Sequence, residues 1–110
     1  VNETEFMDQV AETAQRFGWR VAHFPRSRSP RGNPMTAVKY DAKGYPDLTL
    51  VRERVIFAEL KVDSRVRIEQ VEWLGALEAA GAEVYVWKPK DAAEIERVLR
   101  RRPRPVDSEA

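Results

Sequence analysis

Two runs of strand-forming residues around a short charged turn constrain this chain more than any other stretch. Gly44-Tyr45-Pro46-Asp47-Leu48-Thr49-Leu50-Val51 is followed by Arg52-Glu53-Arg54, then by Val55-Ile56-Phe57-Ala58-Glu59-Leu60-Lys61. β-Branched and aromatic residues flanking so short a link read as an antiparallel hairpin. With the turn centred on Glu53, Val51 faces Val55, Thr49 faces Phe57 and Asp47 faces Glu59. A slip of one residue would turn Asp47 to the other face. Directly opposed residues have Cβ atoms about 4.5–5.5 Å apart, and like charges so placed repel. Lys61, two residues beyond Glu59, shares that face. Two carboxylates and an ammonium crowded onto half-buried strands are costly, and a divalent cation would explain them.

Composition narrows the chemistry. The chain has 110 residues, which suits one domain over residues 1–104 with a short tail at 105–110. Cysteine is absent, so disulfides and thiolate zinc sites are excluded, and the single histidine, His23, argues against a histidine-rich metal site. A metal here would be held by oxygen, which favours Mg2+ or Mn2+. No apolar run approaches the ~18 residues of a membrane span, and Val1-Asn2-Glu3-Thr4-Glu5 does not read as a signal peptide. The expectation is a cytoplasmic protein with no membrane association.

Before the hairpin, Phe6, Met7, Val10, Ala14 and Phe17 recur at helical steps over residues 3–17. Asn2 and Glu5 form a candidate capping box, and Gly18 a stop. Glu3 extends the inward stripe by one turn; its alternative role is simply to favour the helix dipole. Residues 19–24 read as a strand, placing His23 near the rim of the carboxylate site rather than among its catalysts. Residues 25–43 hold three prolines and the basic residues Arg26, Arg28, Arg31, Lys39 and Lys43 against Asp41 alone. This reads as a long, mobile basic loop able to track a phosphate backbone, or else as a solvated surface loop.

After the hairpin, residues 68–80 read as a helix with Trp73, Leu74, Leu77 and Ala80 inward and Gln70 one turn earlier on the same face. Residues 82–87 read as a strand. Strand, helix, strand implies a parallel pair, so the crossover helix starts near Lys61 and brings Gln70 toward the carboxylates. Asp91 with Glu94 forms a second candidate capping box for a last helix, whose end runs into Arg100-Arg101-Arg102-Pro103-Arg104, a solvated terminus. The fold class is α/β (α+β): order α-β-β-β-α-β-α, a mixed central sheet with helices on both sides. Carboxylates binding a hard cation, with Lys61 to orient a nucleophile or offset charge at phosphorus, describe phosphodiester hydrolysis.

These residues also resemble a known family. Pro46-Asp47, then Glu59-Leu60-Lys61 on the next strand, is similar to the signature of the PD-(D/E)XK nuclease superfamily. Glu3-x-x-Phe6, Gly18-Trp19-Arg20-Val21-x-His23, Gly44-Tyr45-Pro46-Asp47-Leu48, Phe57-Ala58-Glu59-Leu60-Lys61 and Gln70-x-x-Trp73-Leu74 resemble its VRR-NUC branch, over residues 3–99. The resemblance implies a restriction-endonuclease-like core and metal-dependent cleavage of DNA, often branched junctions or flaps. It implies Asp47, Glu59, the Leu60 backbone carbonyl and Glu3 as metal ligands, Lys61 assisting the attacking water, and Gln70 supporting the site. A junction-cutting member would work as a homodimer, and small stand-alone domains of this kind are often phage-encoded. The chain departs from the family where Arg65-Val66-Arg67-Ile68-Glu69 stands in place of a Ser-Pro helix start. Two other readings compete: a surface salt-bridge ladder, and a catalytically inactive DNA-binding module with the same fold.

Overall fold

The computed structural model describes residues 1–24 and 40–103. The elements are α1 (Glu3–Arg16), β1 (Arg20–His23), β2 (Leu48–Val51), β3 (Val55–Leu60), α2 (Ile68–Ala79), β4 (Glu83–Trp87) and α3 (Ala92–Arg100). A 3-10 turn, Pro89–Asp91, precedes α3. The result is an α+β architecture with one mixed sheet in the order β1-β2-β3-β4. The first three strands are antiparallel, and β3 and β4 run parallel through the α2 crossover. The hairpin has the expected register, with Thr49 opposite Phe57 and Val51 opposite Val55.

Alternation along the strands gives the sheet two unlike faces. Leu48, Leu50, Ile56, Ala58, Leu60 and Trp87 form one face, packed against Phe6, Val10 and Ala14 of α1 and Ile95, Val98 and Leu99 of α3. Burying such large apolar side chains is worth about 1.5–3 kcal/mol each, which makes this the stabilising layer. The opposite face carries Thr49, Val51, Val55, Phe57 and Glu59. Tyr45 bridges it to α2, with its ring 6.2 Å from Phe57 and 5.1 Å from Trp73. Coverage on this side is partial, and Val51 and Val55 stay exposed.

The first helix is capped as its sequence dictates. Asn2 Oδ1 accepts the Glu5 N–H at 2.8 Å, and Glu5 Oε1 accepts the Asn2 N–H at 2.9 Å. Gly18 follows at φ +90°, a left-handed conformation open to glycine. The hairpin turn is held by guanidinium groups. Arg52 donates to the carbonyls of Phe17 and Leu99, both at 3.0 Å, and of Arg101 at 2.6 Å. Arg54 donates to Val98 O and Arg101 O, each at 2.8 Å. The C-terminal ends of α1 and α3 are thereby tied to the turn, and Arg52 and Arg54 lie 4.5 and 4.9 Å from the Trp19 ring.

Four expectations need correction. Trp19 lies outside β1: it is buried, and its indole N–H donates to Leu99 O at 2.8 Å. Phe24 also lies outside β1 and is exposed. The inward stripe of α2 is shallower than its composition suggests, because the helix covers only part of the sheet: Trp73, Leu74 and Leu77 are half-buried and Ala80 is exposed. Asp91 forms no capping box with Glu94; its carboxylate accepts the Lys88 N–H at 2.9 Å, at the start of the 3-10 turn. Among the described residues no helix is long and apolar enough to cross a membrane.

Candidate active site

Three parts of the fold meet at one end of the sheet. β3 runs from the arginine-clamped turn toward this end, where β4 also finishes and α2 begins. Here Glu59, Lys61 and Gln70 are 1%, 5% and 6% exposed, the buried polar residues of an otherwise apolar interior. Burial of this kind requires partners. Gln70 Nε2 donates to Glu59 Oε2 at 2.7 Å, and the Lys61 ammonium lies 3.4 Å from the same oxygen. The other end of the Gln70 amide accepts the Arg67 N–H at 2.8 Å, so the first turn of α2 and the strand carboxylate share one side chain.

Asp47 stands just before β2. Its Oδ2 accepts the Leu60 N–H at 2.8 Å, and the His23 Nδ1–H donates to its carbonyl at 2.9 Å. In a strand the N–H and C=O of one residue point the same way, so the Leu60 carbonyl heads toward Asp47 as well. The next residue turns the other way, with Lys61 N–H donating to Trp87 O at 2.9 Å. His23 is therefore a rim residue that fixes the Asp47 backbone.

The approach to Asp47 depends on a glycine. Gly44 has φ +89°, and a Cβ there would lie 2.6 Å from the backbone carbon of Glu69. Only glycine lets this segment pass so closely beneath the first turn of α2, where Gln70 starts.

The electrostatics follow from the crowding. Burial first, then the neighbouring Asp47 carboxylate, push the Glu59 carboxyl up from 4.5 to about 7, against the pull of the Lys61 ammonium. Glu59 Oε1 is buried and has no hydrogen-bond partner among the described residues. An unpaired buried oxygen costs about 1–3 kcal/mol, so this atom points to something that would bind it.

The chain matches no protein-family model, no curated protein and no solved structure with which it was compared.

Asp47, Glu59, Lys61 and Gln70 are brought together; Glu3 is not. Glu3 is exposed in the first turn of α1, and among the described residues no three His, Asp or Glu side chains gather closely enough to hold a metal. Burial along the helical stripe begins at Phe6, and Glu3, one turn earlier, stays in solvent. Lys43 pairs with Glu69 at 3.7 Å and remains well exposed. Arg26, Arg28, Arg31 and Lys39 lie outside the described residues. The arginines at the end of α3 and just after it turn to acids: Arg100 to Glu96 at 3.4 Å, Arg101 to Glu83 at 3.2 Å and Arg102 to Glu53 at 3.8 Å.

The donor set suits a hard cation: two carboxylates, one of them with an unpartnered buried oxygen, and a backbone carbonyl directed toward them. Sequence reasoning passed over Arg67, whose backbone is held by Gln70, and Lys88, which follows Trp87 at this same end. The signal for Lys88 was the parallel pairing itself, which sets the end of β4 beside Lys61.

Proposed function

We propose that this chain is a divalent-metal-dependent DNA endonuclease with a restriction-endonuclease-like core, of the VRR-NUC kind within the PD-(D/E)XK superfamily. One observation carries the reading. A fully buried glutamate has one oxygen held by Gln70 and Lys61 and the other left without a partner, beside a second carboxylate. A surface salt-bridge ladder does not account for it, because exposed ion pairs of that kind are not buried and leave no oxygen unpaired.

Asp47, Glu59 and the Leu60 carbonyl are the groups that would hold Mg2+ or Mn2+; Glu3, apart from them, is not assigned a ligand role. When bound, such a cation supplies a nucleophile at neutral pH and offsets the charge that develops on a phosphate. The residues of the chain prepare for this. Gln70 fixes Glu59 Oε2 and so directs Oε1 into the site. The Leu60 N–H and the His23 ring fix Asp47 from its side chain and from its backbone. Lys61, held against Glu59, carries a fixed ammonium that orients the attacking water or offsets charge at phosphorus.

Incubation with branched, flapped and linear DNA in magnesium, manganese or chelator tests the assignment. Cutting is expected with metal and not with chelator, and Glu59→Ala and Lys61→Ala are expected to abolish it. DNA binding without metal-dependent cutting of any substrate would leave an inactive binding module. A Glu59→Ala protein that cuts at the wild-type rate would sink the enzyme reading. Branched or flapped DNA is the expected substrate. Resolution of four-way junctions requires two sites and hence a homodimer, which a solution mass of one chain would exclude.

A further inference from the structure

We propose that Lys88 is a phosphate-binding residue of this site, and that with Arg67 at the start of α2 it lays the DNA backbone across the carboxylate pair. The choice of ligand rests on the nuclease reading above; the placement rests on the sheet. β3 and β4 pair in parallel with Glu59 beside Val86 and Leu60 beside Trp87. The ladder continues one step further, through the Lys61 N–H to Trp87 O bond at 2.9 Å. Lys88 is still extended, at φ −123° and ψ 161°. Side chains alternate along an extended chain, so Lys88 falls on the face that carries Val86, Glu59 and Lys61. Neighbouring strands are about 4.8 Å apart, so Lys88 stands next to Lys61 on that face.

Two further features favour an anion there. The Lys88 backbone is anchored, because Asp91 spends its carboxylate on the Lys88 N–H rather than on α3. The Lys88 side chain is exposed and takes no acidic partner among the described residues, although it shares a face with another ammonium. In the link between β3 and α2, Arg65 and Arg67 are also exposed and without an acidic partner among the described residues, with Asp63 exposed in the same link. Arg67 is one amide away from the site, through Gln70. At the far end of the sheet the cations are instead engaged: Arg52, Arg54, Arg101 and Arg102 pair with Glu53 and Glu83. Arg16 and Arg20 also lie at that far end, on α1 and β1, and replacing both by alanine removes more charge than replacing Lys88 or Arg67 by alanine does.

The experiment is fluorescence anisotropy of a labelled flapped DNA in chelator, where nothing is cut, over about 50–200 mM salt. Lys88→Ala and Arg67→Ala are each expected to weaken binding about five-fold at the low-salt end and to flatten the salt slope by about 0.9. Lys88→Arg is expected to bind like wild type, and Lys88→Glu worse than Lys88→Ala. The Arg16→Ala, Arg20→Ala double variant is expected to bind unchanged. Circular dichroism confirms that each variant is folded. Wild-type affinity and slope in folded Lys88→Ala and Lys88→Glu proteins would overturn the proposal. If that result comes with metal-dependent cutting by wild type, the contact fails and the nuclease reading stands. If Lys88→Ala loses affinity but wild type cuts nothing, the contact stands and the nuclease reading fails.

Discussion

Replacing Glu59 by glutamine, in the absence of metal, should make the protein more stable at pH 8 and leave it little changed near pH 4.5. Glutamine approximates the protonated carboxyl: it keeps an oxygen for the Gln70 amide and removes the charge that burial and Asp47 oppose. The Glu59 carboxyl titrates at about 7 in the fold and 4.5 without it. Between those values the folded protein holds a proton that the unfolded chain has released, so stability falls as pH rises, and it is level above and below. The fall is about 1.4 kcal/mol per pH unit, hence roughly 3 kcal/mol across the window. Glutamine has nothing to titrate there. The stability difference between variant and wild type should therefore open by roughly 3 kcal/mol from pH 4.5 to pH 8. Urea unfolding in chelator at several pH values reads this directly: a slope of about 1–2 kcal/mol per molar puts the midpoints about 2 M apart at pH 8. Taking the difference between the two proteins cancels the titrating groups remote from Glu59. A difference that is constant with pH, or that favours wild type increasingly as pH rises, would refute the reasoning. The second outcome would mean that Lys61 holds Glu59 ionised against burial and Asp47.

Arg52→Ala should destabilise the fold by about 3–4 kcal/mol in chemical denaturation, since a side chain 8% exposed gives up three charged hydrogen bonds and its place on the Trp19 ring. Arg52→Lys should recover little of this, because an ammonium cannot span three carbonyls as a planar fork does. Gly44→Ala should cost about 2–4 kcal/mol and lower activity as well, by combining a positive φ with a clash against the Glu69 backbone that bears on Gln70; full activity with unchanged stability would show that the segment can move aside. Gln70→Ala should lower metal affinity about 10- to 100-fold, measured by calorimetry with Mn2+, with a smaller effect on folding.

The hairpin register was legible because the common face of Leu48, Leu50, Ile56, Ala58 and Leu60 rules out a one-residue slip and the short turn centred on Glu53 selects the pairing. That choice alone set Asp47 against Glu59. Gln70 followed from topology, since a parallel crossover must begin where the previous strand ends. Asp91 misled because an acid three residues before a glutamate fits a capping box, while Pro89 offered a competing 3-10 turn whose free N–H belongs to Lys88. The depth of α2 was overestimated because spacing shows which side of a helix faces in, not how much of the sheet it covers, and Trp73, Leu74 and Leu77 end half-buried with Ala80 exposed. Nothing local to Arg52 or Arg54 announced their roles. Their acceptors are backbone carbonyls tens of residues away, which no side-chain pattern records. Glu3 satisfied the helical stripe, but periodicity gives a direction around the helix and not where the sheet stops.

The arginine fork also has a consequence for the order of events in folding. The turn of the β2–β3 hairpin can close early, because its partners are neighbours in the chain. The acceptors of Arg52 and Arg54 include the carbonyls of Val98, Leu99 and Arg101. Until residues 98–101 have arrived, the two guanidinium groups beside the Trp19 ring lack four of their five backbone-carbonyl bonds, and the apolar face of the sheet lacks α3. Docking of α3 onto a preformed receptor is then expected late in assembly, as a latch closes on a strike plate. Proteolytic nicking or a bulky insertion at residues 98–101 should release that latch, opening the molecule from the end opposite to Glu59.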